Sequence, residues 1–490
     1  MGKMLKKFKS LFDPIDLTKG KIWKVIIAFF VPIVLSMLFQ QVYTLTDTII
    51  VGQTLSEQEV AGVSSSSALV WLVLQFGMGC TSGFSVVISE RIGAKDLEGA
   101  RKSYCVQVVL SIFISLTLTI IGFFCIPYML KMINIVDNPL DPIMKEEYDA
   151  AYTYVLIIYM GTLAQVFYNL MVSILRALGD SFAPFLFLVG STIVNVFLDL
   201  LFIIVFKMGV SGSAYATIIS QGLAAIAAII YAYKKYEWLR IRKEDWKFNG
   251  SFLLRHLKNG LPMGFQFSIL EIGIIIMQGA VNSFDINMDG SLVAGVPAQV
   301  GYGAASKIFG FLMAFLNALG TAMLSFISQN YGAGEKERIK KGTIISFILG
   351  TSLWAFIVLI GLLSTINGAY LYIFYSASKI NPSSIKYGNQ YLYVSIPCMF
   401  ILMLLFLTRN ILQGFEKPLF PFLAGIGELT ARTLICLFAP ALINGGPINS
   451  DASTLSYIFV AMADPLAWVA ATSIMIIPTI RNCFFKTKEK

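Results

Sequence analysis

The sequence predicts an all-α integral membrane protein with twelve transmembrane helices, arranged as two six-helix lobes that are related by a parallel pseudo-two-fold repeat. Three observations support this fold class: an apolar composition, twelve long apolar runs and a motif that recurs at a constant offset. Of the 490 residues, 57% are hydrophobic and only 13% are charged, and the mean hydropathy is +0.74. Soluble domains are about 45–50% apolar and about 25% charged. The composition therefore excludes a soluble enzyme, a soluble binding module and a disordered chain.

Twelve runs of about 20 or more apolar residues are long enough to cross the hydrocarbon core as helices. They lie near residues 22–51, 61–89, 104–130, 150–175, 184–206, 209–233, 257–284, 300–329, 343–376, 388–413, 418–443 and 454–480. Lysine and arginine accumulate in the cytoplasmic loops of membrane proteins. With the N-terminus inside, the inner segments hold 30 of these residues and the outer loops hold 5. We therefore expect a multi-pass protein of the cell membrane, in a prokaryote the inner membrane, with both termini in the cytoplasm.

A motif in the loop after the second run recurs after the eighth run. Residues 89–96 read SERIGAKD and residues 328–335 read SQNYGAGE, an offset of 239, and a second match pairs residues 174–186 with 411–423 at an offset of 237. Each half holds six spans, so both halves start on the same side and the repeat is parallel. We place the N-lobe at 1–240 and the C-lobe at 241–490. Two such bundles predict a central cavity that opens alternately to the two sides.

The motifs for several chemistries are absent from the sequence. It contains no P-loop, no H-E-x-x-H and no G-x-S-x-G motif, and its single histidine, His256, is expected in a basic loop. The six cysteines include no C-x-x-C pair and lie mostly in apolar runs, as small core residues do. We therefore expect no enzyme, no ATP-driven transport of the P-loop kind, no metal centre and no cofactor. The net charge of +9 belongs to loops between spans, so no nucleic-acid partner is expected.

Acidic residues within the predicted spans are candidate functional groups, because an ionisable residue at the bilayer centre costs at least about 2.5–3.5 kcal/mol. Asp47 lies late in the first span, where an interfacial cap is the alternative interpretation. Asp199 lies well inside the fifth span and shares a helix face with Asn195, four residues earlier. Asn195 and Asp199 together could bind a cation or share a proton. A passive interhelical hydrogen bond is the alternative.

Other polar residues in the spans receive different interpretations. Glu428 and Arg432 have i, i+4 spacing and are predicted to neutralise each other as a structural ion pair. Glu271 in the seventh span is either protonated and passive or a titrating or substrate-facing group. Asp464 precedes a proline at a predicted kink and carries little functional weight. Pro32 lies about four turns before Asp47 and removes a helix hydrogen bond, so it forms either a bend coupled to protonation or a static kink.

The sequence resembles the MATE (multidrug and toxic compound extrusion) family almost from end to end, and its DinF-like branch more than its NorM-like branch. The motifs that carry the resemblance lie at Leu17–Gly20, Pro32, Gln40–Tyr43, Asp47–Gly52, Ser89–Ala94, Leu175–Asp180, Gly260–Pro262 and Ser328–Gly334. The resemblance implies a V-shaped, two-lobed antiporter that exports organic cations against H⁺ or Na⁺ entry. One position departs from the NorM-like pattern, because Leu402 stands where those members carry an aspartate.

The resemblance further implies roles for individual residues. Asp47, Asn195, Asp199 and Thr217 match the N-lobe cation-coupling site, and the first three are the candidate ligands of a sodium ion. Pro32 matches the proline that bends the first helix. Glu271 falls near a family glutamate, which makes it a candidate substrate or cation group in the C-lobe.

The sequence thus predicts a secondary active multidrug exporter that acts by alternating access on lipophilic organic cations, with H⁺ or Na⁺ as the coupling ion. The 65 aromatic residues and 19 methionines suit a cavity for varied substrates of this kind. The alternative is a flippase or exporter of a lipid-linked intermediate. That function favours clustered cations within the spans, to which the loop count assigns only Lys307 and Arg432. The expected partners are small molecules and the lipid bilayer, and the expected oligomeric state is a monomer.

Overall fold

The computed structural model describes residues 13–133, 135–247, 249–375 and 380–485. Lysines before residue 13 and after residue 485, together with Lys379, enter the charge count but lie outside these ranges. Within the described ranges the regular structure is helical, and the β-type pairing consists of an isolated bridge between Ile286 and Leu292. The all-α prediction is therefore confirmed.

The α-helices of the described chain follow the predicted apolar runs. In chain order they are α1 (Ile22–Thr54), α2 (Glu57–Gly93), α3 (Leu97–Met132), α4 (Pro142–Met160), α5 (Thr162–Ala177), α6 (Phe182–Asp199), α7 (Val210–Lys235), α8 (Gly250–Asn282), α9 (Pro297–Gly332), α10 (Lys336–Ser364), α11 (Leu371–Phe374), α12 (Pro382–Gly414), α13 (Leu419–Asn444), α14 (Thr454–Ala461) and α15 (Ala463–Ile480). Eleven of the described helical segments are long and apolar enough to cross a membrane. The pair α4 and α5, bent by 51°, passes the same test when taken together and brings the number of candidate spans to the twelve predicted.

The ninth predicted run is longer than the helix that it forms. The run extends to residue 376, whereas α10 ends at Ser364. Asn367 and Gly368 have φ values of 53° and 64°. A left-handed backbone cannot continue a right-handed helix, so the apolar residues that follow form a separate short helix, α11.

The chain forms two compact units. The first contains Met1–Ser268 and Ser325–Glu335, and the second contains Ile269–Leu324 and Lys336–Lys490. Helices α8 and α9 therefore each contribute one end to the first unit. The predicted division at residue 240 follows the sequence repeat and not these contacts, and it stays a prediction.

The repeat is visible in the backbone of two turns. After α2, the N–H of Asp96 donates to the carbonyl of Arg91 at 2.9 Å, and Lys95 has a φ of 59°. The turn after α9 repeats this geometry 239 residues later, where the N–H of Glu335 donates to Asn330 at 2.9 Å and Gly334 has a φ of 75°. Such an N–H to the residue five positions earlier closes a helix end. The two copies therefore share a conformation as well as a motif.

The repeat is also visible in close helix packing within each unit. A Cβ on Gly62 would lie 2.5 Å from the carbonyl oxygen of Glu147. Offsets of 239 and 237 convert these residues into Gly301 and Ser384, where the corresponding distance is 2.3 Å. Only a glycine permits a backbone approach this close. The same contact in both halves extends the repeat beyond the matched loops.

His256 does not lie in a loop as the sequence analysis expects. Helix α8 begins at Gly250, and His256 on its first turns is fully buried. Its Nε2 atom lies 2.7 Å from Ser103 Oγ, and its Nδ1 atom lies 2.9 Å from the carbonyl oxygen of Phe252. The expectation is wrong because polar residues before the apolar run continue the helix and pack against α3.

Candidate functional site

Two of the predicted site residues are acids on different helices of the first unit. Asp199 ends α6 and is fully buried, and Asp47 lies on α1, which packs against α6. Their carboxyl groups face each other closely enough to interact directly. The two residues are 152 positions apart in the sequence, so only the packing of α1 on α6 brings them together.

Several polar atoms at this acid pair have no hydrogen-bond partner among the described residues. They are Asp47 Oδ1, both carboxyl oxygens of Asp199, and both amide atoms of the fully buried Asn195. A buried polar group without a partner costs about 1–3 kcal/mol, and a charged group costs more. The carboxyl and amide oxygens suit a proton or a small hard cation, and either one offsets the repulsion between two adjacent acids of which Asp199 is fully buried.

Two tyrosines and a threonine complete this part of the first unit. The side chain of Tyr43 lies near that of Thr217 on α7, and Tyr43 and Tyr154 both lie close enough to the two acids to interact with their charges. The structure thus brings Asp47, Asp199 and Thr217 close together in one part of the first unit. The sequence analysis missed Tyr154, and Tyr43 was named only as part of a motif. The i, i+4 spacing of Tyr43 and Asp47 could have identified it.

The helix that carries Asp199 changes its geometry at this residue. Helix α6 ends at Asp199 and continues as a π-helix over Leu200–Val205. The N–H of Phe206 donates to the carbonyl of Leu201 at 2.9 Å, five residues earlier. Such π-turns are rare and occur frequently at functional sites. Because a π-turn is wider than an α-turn, the side chains after Asp199 point in other directions than they would on a regular α-helix.

Pro32 lies within α1, fifteen residues before Asp47. Its ring removes the N–H that would donate to the carbonyl of Ala28. Ser36 Oγ donates to the carbonyl of Pro32 at 2.8 Å. Helix α1 therefore has one backbone hydrogen bond fewer at this position, and the role of Pro32 in conformational coupling stays a prediction.

In the second unit, the predicted pair of Glu428 and Arg432 belongs to a larger buried cluster. Arg432 Nη2 lies 3.1 Å from Glu428 Oε1, and Arg409 Nη2 lies 3.0 Å from Glu428 Oε2. Arg432 Nε lies 2.8 Å from Asp464 Oδ1. Sequence reasoning missed Arg409 and gave Asp464 little functional weight, because these residues lie 19 and 32 positions from their partners. Glu271, the other candidate here, is partly buried on α8.

Comparison with known proteins gives a consistent assignment. The sequence profile of the MatE family matches residues 32–201 and 272–437. The chain is 29% identical over 326 residues to the Probable multidrug resistance protein YpnP of Bacillus subtilis (strain 168), covering 66% of this chain and 68% of the relative. It is 26% identical over 344 residues to the Probable multidrug resistance protein YoeA of the same organism, covering 68% and 70%.

The fold agrees with that of a solved transporter. A structure described as the outward-facing conformation of a multidrug resistance MATE family transporter of the MOP superfamily aligns with a TM-score of 0.80 at 19% identity, covering 95% of this chain and 97% of that one. The predicted DinF-like branch stays a prediction. Because the MatE profile matches both halves of a chain that folds into twelve apolar spans, this protein belongs to the MatE family and is a multi-pass membrane transporter, not an enzyme.

Proposed function

We propose that the protein is a secondary active exporter that couples the efflux of lipophilic organic cations to the entry of H⁺ or Na⁺. The observation that carries this proposal is the pair of facing acids, Asp47 and Asp199, with the unpartnered side chain of Asn195 beside them. Ionisable groups inside membrane spans mark ion pathways and proton relays. The pair is the coupling site, and Thr217 supplies a further oxygen.

Coupling requires that the ion changes the relative stability of two conformations. Two adjacent carboxylates, one of them fully buried, repel each other, and a bound proton or cation removes this repulsion. The acids lie on different helices, so ion binding strengthens the contact between α1 and α6. An export cycle follows if the ion-loaded and substrate-loaded states favour opposite openings of the transporter, as in alternating access.

The comparison with relatives supports small-molecule substrates, because the two relatives are described as probable multidrug resistance proteins. A flippase for a lipid-linked pyrophosphate is less well supported. Arg432 is bound to two carboxylates, and Lys307 Nζ lies 5.0 Å from the centre of the Phe374 ring. Arg409 lies beside Arg432, but both guanidinium groups are bound to carboxylates, so they do not offer a free phosphate site.

We further propose that the protein lies in the cell membrane with both termini in the cytoplasm. The excess of lysine and arginine in alternate loops, 30 against 5, supports cytoplasmic termini in the cell membrane. We propose that it acts there as a monomer, with the coupling ion as the sole inorganic requirement.

The test is dye export from sealed vesicles with an imposed pH gradient or an imposed sodium gradient, each applied alone. We expect one of the two gradients to drive export of an ethidium-like dye, and the effective gradient identifies the coupling ion. Export that is driven by neither gradient would contradict the proposal. A gradient response that survives in both Asp47→Asn and Asp199→Asn would contradict the site.

A further inference from the structure

The repeat relates the candidate coupling site of the first unit to a position in the second unit. The offset of 237 converts Tyr154 into Tyr391, Asn195 into Arg432 and Asp199 into Cys436, a set read from the printed sequence. The backbone supports this offset. At a helix end, the N–H of Asp180 donates to the carbonyl of Leu175 at 2.9 Å, and the residues 237 positions later, Lys417 and Leu412, form the same bond at 3.0 Å.

The two equivalent positions carry different charges. In the first unit two carboxyl groups face each other, and the titratable groups near them are the neutral tyrosines Tyr43 and Tyr154. In the second unit the carboxylate of Asp464 accepts a hydrogen bond from Tyr391 at 3.3 Å and binds Arg432 at 2.8 Å. A thiol, Cys436, replaces the carboxylate of Asp199. By the repeat, the second position therefore has a guanidinium in place of the amide of Asn195 and a thiol in place of the carboxyl group of Asp199.

We propose that the Arg432 guanidinium is a built-in cation that takes the place of the exchangeable ion in the second unit, with Asp464 as its carboxylate ligand. Each chain then has a single exchangeable cation site, and removal of Arg432 creates a second one for Na⁺ or H⁺. This inference rests on the proposed function in one respect: it takes the acid pair of the first unit to be the site that exchanges a cation.

The surroundings of Arg432 hold its guanidinium in place. Its side chain is 6% exposed, and a Cβ on Gly273 of α8 would lie 2.2 Å from its Nη1 atom. The backbone of α8 therefore covers the guanidinium. The cluster of Arg409, Glu428, Arg432 and Asp464 is electrically balanced, with two cations and two acids. A balanced and covered cluster has no charge to be neutralised by an ion from solution.

Three other titratable groups face Asp464 from the surrounding helices. They are Tyr302 on α9, Tyr391 on α12 and Cys436 on α13. All three are neutral in their ordinary protonation state near pH 7. Without Arg432, the carboxylate would therefore be left with hydrogen-bonding groups and no adjacent cation. Its burial would then favour the uptake of a proton or of a small cation.

In the first test Arg432 is replaced by asparagine, the residue of its counterpart Asn195. The chain also carries Asp47→Asn and Asp199→Asn, which inactivate the candidate site of the first unit. We expect the Tm of purified Arg432→Asn protein to rise by several degrees when sodium chloride replaces choline chloride, or when the pH falls from about 8 to about 6. Adding Asp464→Asn should abolish this response. The Arg432→Lys protein retains a cation at this position, so its Tm should not respond to sodium or to pH in this way. An Arg432→Asn protein with the same Tm under all these conditions would overturn the proposal.

The second test leaves Arg432 unchanged and so does not depend on the folding of its variants. The wild-type chain should bind radioactive sodium, or release protons on substrate binding, at a single site. The variant with Asp47→Asn and Asp199→Asn should do neither. Saturable sodium binding or proton release that persists in this variant would show a second exchangeable site and overturn the proposal. Normal export by the variant would instead contradict the proposed function.

Discussion

The Oγ atoms of Ser89 and Ser328 lie 2.6 Å apart, and the two residues are separated by 239 positions, which is the offset of the repeat. Each copy of the repeated turn therefore contacts its own counterpart. Nearby, a Cβ on Gly93 would lie 1.8 Å from the carbonyl oxygen of Gln329. Both copies belong to the first compact unit, and self-complementary contacts of this kind are typical of a two-fold relationship.

The corresponding contact in the opposite direction, from Gly332 to Glu90, leads to the first prediction. A Cβ at this position would lie 1.9 Å from the carbonyl oxygen of Glu90, so Gly332→Ala forces two backbones apart. We expect it to lower the free energy of unfolding by at least about 1–3 kcal/mol, measured as Tm and as yield of folded protein in detergent. The control is Gly310→Ala on the same helix, where a Cβ has open space and alanine favours the helix. Equal Tm values for the two variants would contradict the prediction.

The second prediction concerns the acid pair. Asp47→Asn and Asp199→Asn each remove a carboxylate but preserve side-chain volume, so we expect folded protein whose gradient-driven export is abolished. The control is Asp137→Asn in an exposed loop, which should export normally. Dye efflux from energised vesicles is the measurement. Wild-type efflux by either variant of the pair would show that the coupling ion binds elsewhere.

The third prediction concerns the buried cluster. Glu428→Gln leaves Arg409 without a carboxylate, and breaking a buried pair costs about 3–5 kcal/mol. We expect the double change Glu428→Gln with Arg409→Met to cost less, because Arg432 retains Asp464. Removing Glu428 with Arg432 would instead leave two unpaired charges. Thermal unfolding in detergent separates these cases, and a Glu428→Gln protein as stable as the wild type would contradict a structural role.

The fourth prediction concerns Pro32. Pro32→Ala restores a backbone N–H in α1 and should favour one helix shape over another. Because transport needs both shapes, we expect slow dye efflux from energised vesicles, while dye binding in detergent, measured by fluorescence polarisation, changes less. Pro127→Ala at an exposed position of α3 is the matched control. Near-normal efflux by Pro32→Ala would reduce this residue to a static kink.

The fifth prediction is a pH dependence of stability at Asp245, which lies in a short 3₁₀-helix between spans. Burial by itself raises the pKa of this carboxyl, but the hydrogen bonds from Arg101 Nε at 2.6 Å and from the Arg242 N–H at 2.7 Å outweigh burial and hold the pKa below its ordinary value. A lowered pKa in the folded state stabilises the protein above the pKa of the unfolded state, and this contribution is lost as the pH falls.

We therefore expect Asp245→Asn to lower Tm by several degrees at pH 7 and by progressively less as the pH falls through about 4. Glu98→Gln, at an exposed ion pair with Lys102 on α3, should change Tm little at any pH. The measurement is thermal unfolding in detergent at a series of pH values. A Tm difference between wild type and Asp245→Asn that stays constant down to acidic pH would contradict this prediction.

The sequence by itself determined the features that depend on local composition. The twelve spans follow from uninterrupted apolar runs, because each span needs only its own residues to suit the bilayer. The turns at Asp96 and Glu335 follow from a repeated motif. The shared face of Asn195 and Asp199 follows from helix geometry alone.

Only the tertiary structure decided which distant residues meet. The contact of Asp47 with Asp199 and the pairing of Arg432 with Asp464 join different helices, and hydrophobic patterning does not specify which side chains of two packed helices face each other. The burial of His256 was missed for the same reason, since Ser103 lies 153 residues away. A buried charge is stabilised by its neighbours in space, and these neighbours become known only when the helices are packed.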